Sequence, residues 1–236
     1  MHTFHVPDLD PTPGGAVELP REEAEHAVRV LRLRVGDAVH LVDGNGHRVL
    51  ATLSEAGARA CAATVQQHVP SSIPVLQSIH LAVAPTKQID RFEWMLEKCT
   101  ELGIQRITPL LTERTERAHL RHDRLVKVLV GAMKQSQRDH LPRLDAPTTL
   151  ADLLSAPLPP QRLFGYCLGE HRSLMEAYAP GQDALVTIGP EGDFTPEEAD
   201  KLSRQQFAAV SLGAARLRTE TAAVAACTWM NFAQQK

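Results

Sequence analysis

Two glycine-bearing stretches hold the residues best suited to binding a small molecule. Ile188-Gly189-Pro190-Glu191-Gly192-Asp193 closes the apolar run from Leu185. Leu212-Gly213-Ala214-Ala215-Arg216-Leu217-Arg218-Thr219-Glu220-Thr221 follows a second apolar run and leads into alanine-rich sequence. Glycine permits positive φ and close backbone approach, and proline stiffens a turn. Amides presented there can bind a carboxylate, a phosphate or a hydroxyl. A plain turn ahead of a capped helix accounts for Gly189–Gly192 equally well. The spacing is neither G-x-G-x-x-G nor a P-loop, so a dinucleotide or nucleoside-triphosphate fingerprint is absent. Arg218 stands at a helix start, where the dipole favours anions. A cation placed against that field is a mild sign of function; pairing with Glu220 or Glu191 is the structural alternative.

Three basic stretches could meet a polyanion. Lys134 to Arg143 includes Gln135, Ser136 and Arg138, donor-rich side chains suited to phosphates or base edges. Cations at a helix C-terminus are also favourable without any ligand. Thr112 to Arg117, with Arg114, follows an apolar strand at the sheet end where ligands lie, or is an ordinary charged loop. Arg29, Arg32 and Arg34 sit in or after a short helix balanced by Glu22, Glu23 and Glu25; spacing alone favours a solvated face. His119 and His122 could share a helix face, but further metal ligands do not suggest themselves.

The elements that must position these residues fall into two groups. Residues 1–72 read as a small β-rich domain: a helix over 20–32, then a hairpin around Asp43-Gly44-Asn45-Gly46. Val69 to Pro74 is the expected linker. From residue 73 strands and helices alternate. Strands are expected at 79–83, 107–111, 162–166, 185–188 and 207–212, and helices at 88–102, 120–135, 150–154, 196 onward and 218–232. Gly103 is a helix stop. Thr195-Pro196-Glu197-Glu198 is a capping box with proline at the first helical position. This alternation predicts an α/β layer with a mostly parallel sheet over 73–236.

The composition gives a 43 % hydrophobic fraction, ample for a core, and a net charge of −3, which is no global sign of nucleic-acid binding. Arginine nevertheless far outnumbers lysine, and its planar fork suits phosphates and bases. Four scattered cysteines without C-x-x-C fit buried, reduced thiols in a cytoplasmic protein. No run approaches a membrane span.

Taken as a set, these motifs resemble the RsmE family of ribosomal RNA methyltransferases. The resemblance rests on Ile188–Asp193 and on Leu212-Gly213 with Leu217-Arg218-Thr219-Glu220-Thr221-Ala222. Glu97–Ile104, Ile107–Leu110, Glu113-Arg114, Gln135-Ser136 with Arg138, and His26 with Val30–Arg32 and Gly36-Asp37 extend it over most of the chain. It implies a SPOUT-type fold, an α/β sheet with a C-terminal trefoil knot preceded by a PUA-like β-barrel. It also implies a homodimer that uses S-adenosylmethionine to methylate N3 of a uridine in 16S ribosomal RNA.

Carried over, the cofactor residues are Phe164, Gly165, Ile188, Gly189, Pro190, Glu191, Gly192, Leu212, Gly213, Leu217 and Arg218. Arg114, Arg138, Arg218 and Glu191 become the catalytic candidates. Arg29, Arg32, Arg34, Gln135, Ser136 and Arg138 become the RNA-binding candidates, and no metal is implied. The chain departs from the family twice. Ala214-Ala215 stand where Pro-Arg is usual, with Arg216 one residue later. Lys134-Gln135-Ser136-Gln137-Arg138 stands for Glu-Gln-Ser-Gly-Arg. The rival readings are a SPOUT methyltransferase for another RNA and a non-catalytic ribosome assembly factor.

Overall fold

A computed structural model describes residues 1–71 and 77–235. The chain divides into two compact units, Met1–Pro74 with Val130–Leu141, and Val75–Leu129 with Pro142–Lys236. The expected domain boundary at 72/73 lies outside the described residues.

The first unit contains β1 (Thr3–His5), β2 (Ala16–Glu18), α1 (Arg21–Glu25), a π-helical turn (His26–Val30), β3 (Ala38–Val42), β4 (Arg48–Ala56) and β5 (Cys61–His68). The five strands form one mixed sheet in the order β1-β3-β4-β5-β2. β1 runs parallel to β3, and the other pairings are antiparallel. Alternate residues Val39 and Leu41, Val49, Ala51 and Leu53, and Ala63 and Val65 bury one face around Phe4 and Val17, the period-2 pattern of a half-buried strand. Two register shifts between β4 and β5 bend the pair, as bulges do. The expected hairpin forms, with β3 and β4 flanking Gly44 and Gly46, both at positive φ. The helix expected over 20–32 is split. α1 passes into the π-helical turn, which ends at Val30 with Leu31 as its C-cap, and Arg32 takes a φ of +57°. Ala27 is buried, Val28, Leu31 and Leu33 pack against the core, and Arg29, Arg32 and Arg34 are left exposed.

The second unit contains β6 (Ile79–Val83), α2 (Ile89–Leu102), β7 (Arg106–Leu111), α3 (His122–Gln135, whose last residues count with the first unit), β8 (Arg143–Leu144), β9 (Thr148–Thr149), α4 (Leu150–Ser155), β10 (Gln161–Gly165), α5 (Leu174–Ala177), β11 (Ala184–Ile188), α6 (Pro196–Arg204), β12 (Ala208–Val210) and α7 (Thr219–Gln234). Its seven-stranded sheet runs β12-β10-β11-β6-β7-β8, with β9 also on β7. Every pairing is parallel. β6 and β11 are buried throughout, as parallel strands covered on both faces must be.

Pro109 lies inside β7 rather than on an edge strand. β7 pairs with β8 at Arg106 and Ile107 and with β9 at Leu110 and Leu111. Pro109, which has no N–H, falls in the gap between those partners. Gly103 ends α2 at φ +98°, accepting the left-handed conformation that a side chain resists. Thr195 and Glu198 complete the reciprocal capping box of α6, with Pro196 at the first helical position. α7 is rich in small residues and packs closely on α2 and β6.

Candidate active site

β10, β11 and β12 are neighbours, and their carboxyl ends coincide: Gly165 pairs with both Ile188 and Val210. Three loops leave that edge together, 166–173, 189–195 and 211–218. They enclose a cleft of 1060 Å³ with Arg114 and the first turn of α7. In a parallel sheet this edge is where ligands bind. Both glycine stretches singled out in the sequence thus line one site.

Short polar contacts hold the loops to one another. Asp193, at φ +62°, accepts the Cys167 N–H at 2.9 Å through Oδ2 and the Phe194 N–H at 2.8 Å through Oδ1. Thr219, the first residue of α7, donates its hydroxyl to Gly189 O at 3.1 Å. Arg114 donates to Gly192 O at 2.5 Å. Glu191 accepts the Lys87 N–H at 3.2 Å, and Arg117 closes on Lys87 O with two bonds of 3.0 and 2.8 Å. Glu198 accepts the Glu113 N–H at 2.8 Å. The segment after β7 is therefore part of the site's frame.

The glycines shape the cavity. A Cβ on Gly189 would meet the Phe194 backbone N at 3.1 Å, and one on Gly165 would meet Ile188 Cδ1 at 3.1 Å. Gly213 sits at φ +129° with open space around it. The cleft wall mixes apolar Ile188, Leu168, Leu212 and Leu217 with Glu191, Asp193, Arg216 and Arg218. Arg216 and Arg218 are exposed, and among the described residues neither forms an ion pair. Arg218 is the N-cap of α7 but caps it with no side-chain bond. Burial and the Asp193 carboxylate both raise the Cys167 thiol, so this exposed cysteine is held neutral.

Of the expected cofactor residues, Gly165, Ile188, Gly189, Pro190, Glu191, Gly192, Leu212, Gly213, Leu217 and Arg218 line the cleft. Phe164 lies in the core beneath it, edge-on to Phe194 at 6.1 Å. Arg114 joins the cleft. Glu220 is buried and faces Arg91 at 3.8 Å. Arg29, Arg32, Arg34, Gln135, Ser136 and Arg138 belong to the first unit. There Gln135 is exposed, Arg138 is half-buried, and Ser136 turns its hydroxyl back to Ala132 O at 2.7 Å. The sequence reading missed the wall formed by Tyr166, Cys167, Leu168, Gly169 and His171. Tyr166 and His171 rings lie 5.7 Å apart there. Gly169, at φ +91°, is the one local signal that could have marked it as a turn. Asp193 was also missed as a tie between loops; aspartate tolerates the left-handed region better than most residues.

Fold and cleft are those of an RNA methyltransferase. The RNA methyltransferase domain matches residues 74–231, and the RNA methyltransferase PUA domain matches residues 19–66. Ribosomal RNA small subunit methyltransferase E of Synechocystis is 32 % identical over 91 % of this chain and 72 % of its own. A crystal structure of a probable rRNA-methyltransferase from Porphyromonas gingivalis superposes with a TM-score of 0.90 and 36 % identity, covering 100 % of this chain and 99 % of that one. The ribosomal RNA small subunit methyltransferase E of Neisseria gonorrhoeae, solved with S-adenosyl methionine bound, gives 0.90 at 28 % identity, covering 98 % and 97 %. This chain belongs to the ribosomal RNA small subunit methyltransferase E family.

Proposed function

We propose that this protein binds S-adenosylmethionine in the cleft of the second unit and methylates N3 of a uridine in 16S ribosomal RNA. The observation that carries the reading is the convergence of three strand ends on one cleft, walled by close-approach glycines, in a chain of this family. The cleft fits the cofactor. It has the volume of a small-molecule site, apolar walls for an adenosine, and glycines at Gly165 and Gly189 where a Cβ would crowd the turn. Ile188, Leu212 and Leu217 would hold the base and ribose. Backbone groups of Gly189–Gly192 and Gly213 would hold the polar atoms, and Phe164 supports this wall from below. Once bound, the cofactor supplies a methyl group activated by an adjacent sulfonium.

The chain's own task is then to position the uridine and manage its charge. Uridine N3 carries a proton in its neutral form, and removing it leaves negative charge on O2 and O4. Arg114 and Arg218 line the cleft and offer guanidinium donors to that charge, the electrostatic contribution that dominates many active sites. Glu191, held by the Lys87 amide, is the candidate to take the proton or to orient an arginine. Holding the two reactants together supplies a large further part of the acceleration. Arg138 is proposed to meet the RNA from the first unit, together with Gln135, Ser136 and the exposed Arg29, Arg32 and Arg34.

The remaining assignments rest on separate observations. β12 lies at one edge of the sheet, yet α7, next in the chain, packs on β6 and α2 beyond β10 and β11. The connecting segment 211–218 meets the loop after β10 at Ser173–Ser211. That path supports a knotted C-terminal region. Large aromatics exposed on α2 and α7 support a homodimer. No helix among the described residues is long and apolar enough to cross a membrane, and a ribosomal substrate supports a cytoplasmic location.

Mass mapping of ribosomal RNA from cells lacking the protein tests the reading. The N3-methyluridine signal in 16S ribosomal RNA should disappear and return with the gene; an unchanged signal would refute it. Titration of the purified protein with S-adenosylmethionine should show saturable binding. Absence of binding would favour an assembly factor without turnover.

A further inference from the structure

We propose that the buried Arg48–Asp139 ion pair is a positioning device that fixes Gln135–Arg138 on the first unit as an RNA-reading segment. The inference rests on the RNA methyltransferase reading above and assigns residues on which that reading is silent.

The pair joins β4 to the stretch after α3, 91 residues away in sequence. Arg48 Nε donates to Asp139 Oδ1 at 2.6 Å, and the two side chains are 9 % and 2 % exposed. Arg48 Nη2 also donates to Gln137 O at 2.9 Å. One guanidinium thus grips the segment at a side chain and at the backbone two residues earlier. Gln137 has a φ of +56°, a left-handed conformation costing a non-glycine residue roughly 1–2 kcal/mol. Its carbonyl is the atom Arg48 holds. The chain reverses there, and Gln135, Ser136 and Arg138 lie on either side of the reversal.

Further contacts fix both ends of the segment. Before it, Lys134 Nζ lies 2.6 Å from Glu23 Oε1, and the same oxygen accepts the His5 N–H at 3.3 Å. After it, Gly46 N donates to Asp139 O at 3.0 Å, and Leu141 N donates to Gly44 O at 2.8 Å. His140 lies so close to Gly46 that a Cβ there would sit 2.7 Å from its ring. Gly46 also has a φ of +107°, a conformation that side chains resist, so glycine suits the turn on which the His140 ring packs.

A buried ion pair is a weak source of net stability, because desolvation offsets most of the attraction. Its geometry is specific, however, because the planar fork of arginine fixes direction as well as distance. The segment it fixes carries long donor side chains on either side of the turn, Gln135 exposed and Arg138 half-buried. That is the chemistry of phosphate and base-edge contact. Arg48 and Asp139 are themselves too buried to touch RNA. They act through Arg138 and its neighbours.

The test is a double-mutant cycle between Arg48→Lys and Arg138→Ala in the full-length protein, with methylation of 16S-derived RNA as the readout. Lysine keeps the charge but cannot reach Asp139 and Gln137 O together. Each single variant should raise the KM for RNA by roughly tenfold while kcat at saturating RNA stays within about twofold. Each should also lower the salt dependence of RNA affinity by about one phosphate contact. S-adenosylmethionine affinity, read by calorimetry, should not change. The double variant should be little worse than either single one in RNA KM, because both remove the same contact. If Arg48→Lys does not fold, Asp139→Asn takes its place in the cycle. Fully additive effects on RNA KM, or a folded variant whose melting temperature falls while its RNA KM stays normal, would overturn the proposal. Failure of the underlying reading would look different, because the unaltered protein would then not methylate the RNA.

Discussion

At the scale of single residues, the cleft separates arginines by what they already do. Arg114 is spent in part on Gly192 O, whereas Arg216 and Arg218 reach the cleft without a partner among the described residues. Arg218 also stands at a helix start without capping it, so the helix contributes nothing to keeping it there. If Arg218 stabilises charge on the uridine only as the reaction proceeds, Arg218→Ala should lower kcat by about 10²–10³-fold. Cofactor affinity, measured by calorimetry, should move little. A near-normal rate would remove Arg218 from the catalytic set. Gln137 supports a prediction of the opposite sign. Its φ of +56° favours glycine, so Gln137→Gly should relieve strain of roughly 1 kcal/mol and raise the denaturation midpoint. A lower midpoint would show that the Gln137 side chain contributes more than its backbone costs. The resemblance to the family implies a glycine where Gln137 stands. It does not show the left-handed conformation, because a carbonyl contact with Arg48, distant in the chain, is what holds it.

At the scale of elements, what could be read locally was read. Helices α2 and α6 announce themselves by period, stop and cap, α7 by its alanine-rich run, and β6 and β11 by short apolar runs between turn residues. The three-residue strands β1 and β2 carry no such pattern. They exist because β3 and β5 offer them an edge, and pairing partners so far apart leave no local trace. The start of β6 and β7 shows how an element can hold a polar group inside a parallel sheet. His80 Nε2 lies 2.7 Å from Thr108 Oγ1, which bonds Asp145, and Arg106 and Arg143 close on the same carboxylate at 2.7 and 2.9 Å. Burial, with Arg106 adding repulsion, lowers the His80 pKa to about 4, against the opposing pull of Asp145. The ring is therefore neutral in the folded protein, while an unfolded chain takes up a proton below about 6.5. The stability tied to this difference is complete above pH 6.5 and is lost as pH falls towards 4. By the linkage relation the loss is on the order of 3 kcal/mol. Urea unfolding of the wild type and His80→Gln at pH 7 and pH 4 measures it. The wild type should lose more stability over that interval; equal losses would show that His80 protonates freely in the fold. The turn after β11 supports another prediction. Gly189→Ala pushes a methyl against the Phe194 backbone, so the 189–194 turn must open and cofactor affinity should fall by at least about tenfold in calorimetry. Wild-type affinity would show that the turn yields without cost.

At the scale of the whole molecule, the alternation of strands and helices after residue 77 makes the parallel sheet legible, and the glycine stretches mark two of the cleft's three loops. The third, 166–173, is marked only by Phe164-Gly165 before it, through the resemblance, and by Gly169 within it; nothing local says that β10 lies between β11 and β12. α2 and α7 pack against each other, yet each leaves a large aromatic outward, Trp94 at 45 % and Phe232 at 54 % exposure. An exposed aromatic forgoes much of the stabilisation that burying a large ring gives, and exposed apolar patches on soluble proteins commonly mark interfaces. Both helices also frame the site: α7 begins at Thr219, bonded to the Gly189 turn, and Arg91 of α2 faces Glu220 of α7. A second copy seated on this helix pair would therefore stiffen the start of α7 as well as cover the aromatics. Sedimentation equilibrium should give twice 25.9 kDa for the wild type. Trp94→Glu with Phe232→Glu should give a folded monomer, because placing two carboxylates in such an interface costs more than its contacts return. Its cofactor affinity should fall although neither residue lines the cleft, because the start of α7 then loses that support. A wild type that sediments as a monomer, or a double variant that remains dimeric, would remove this face as the interface.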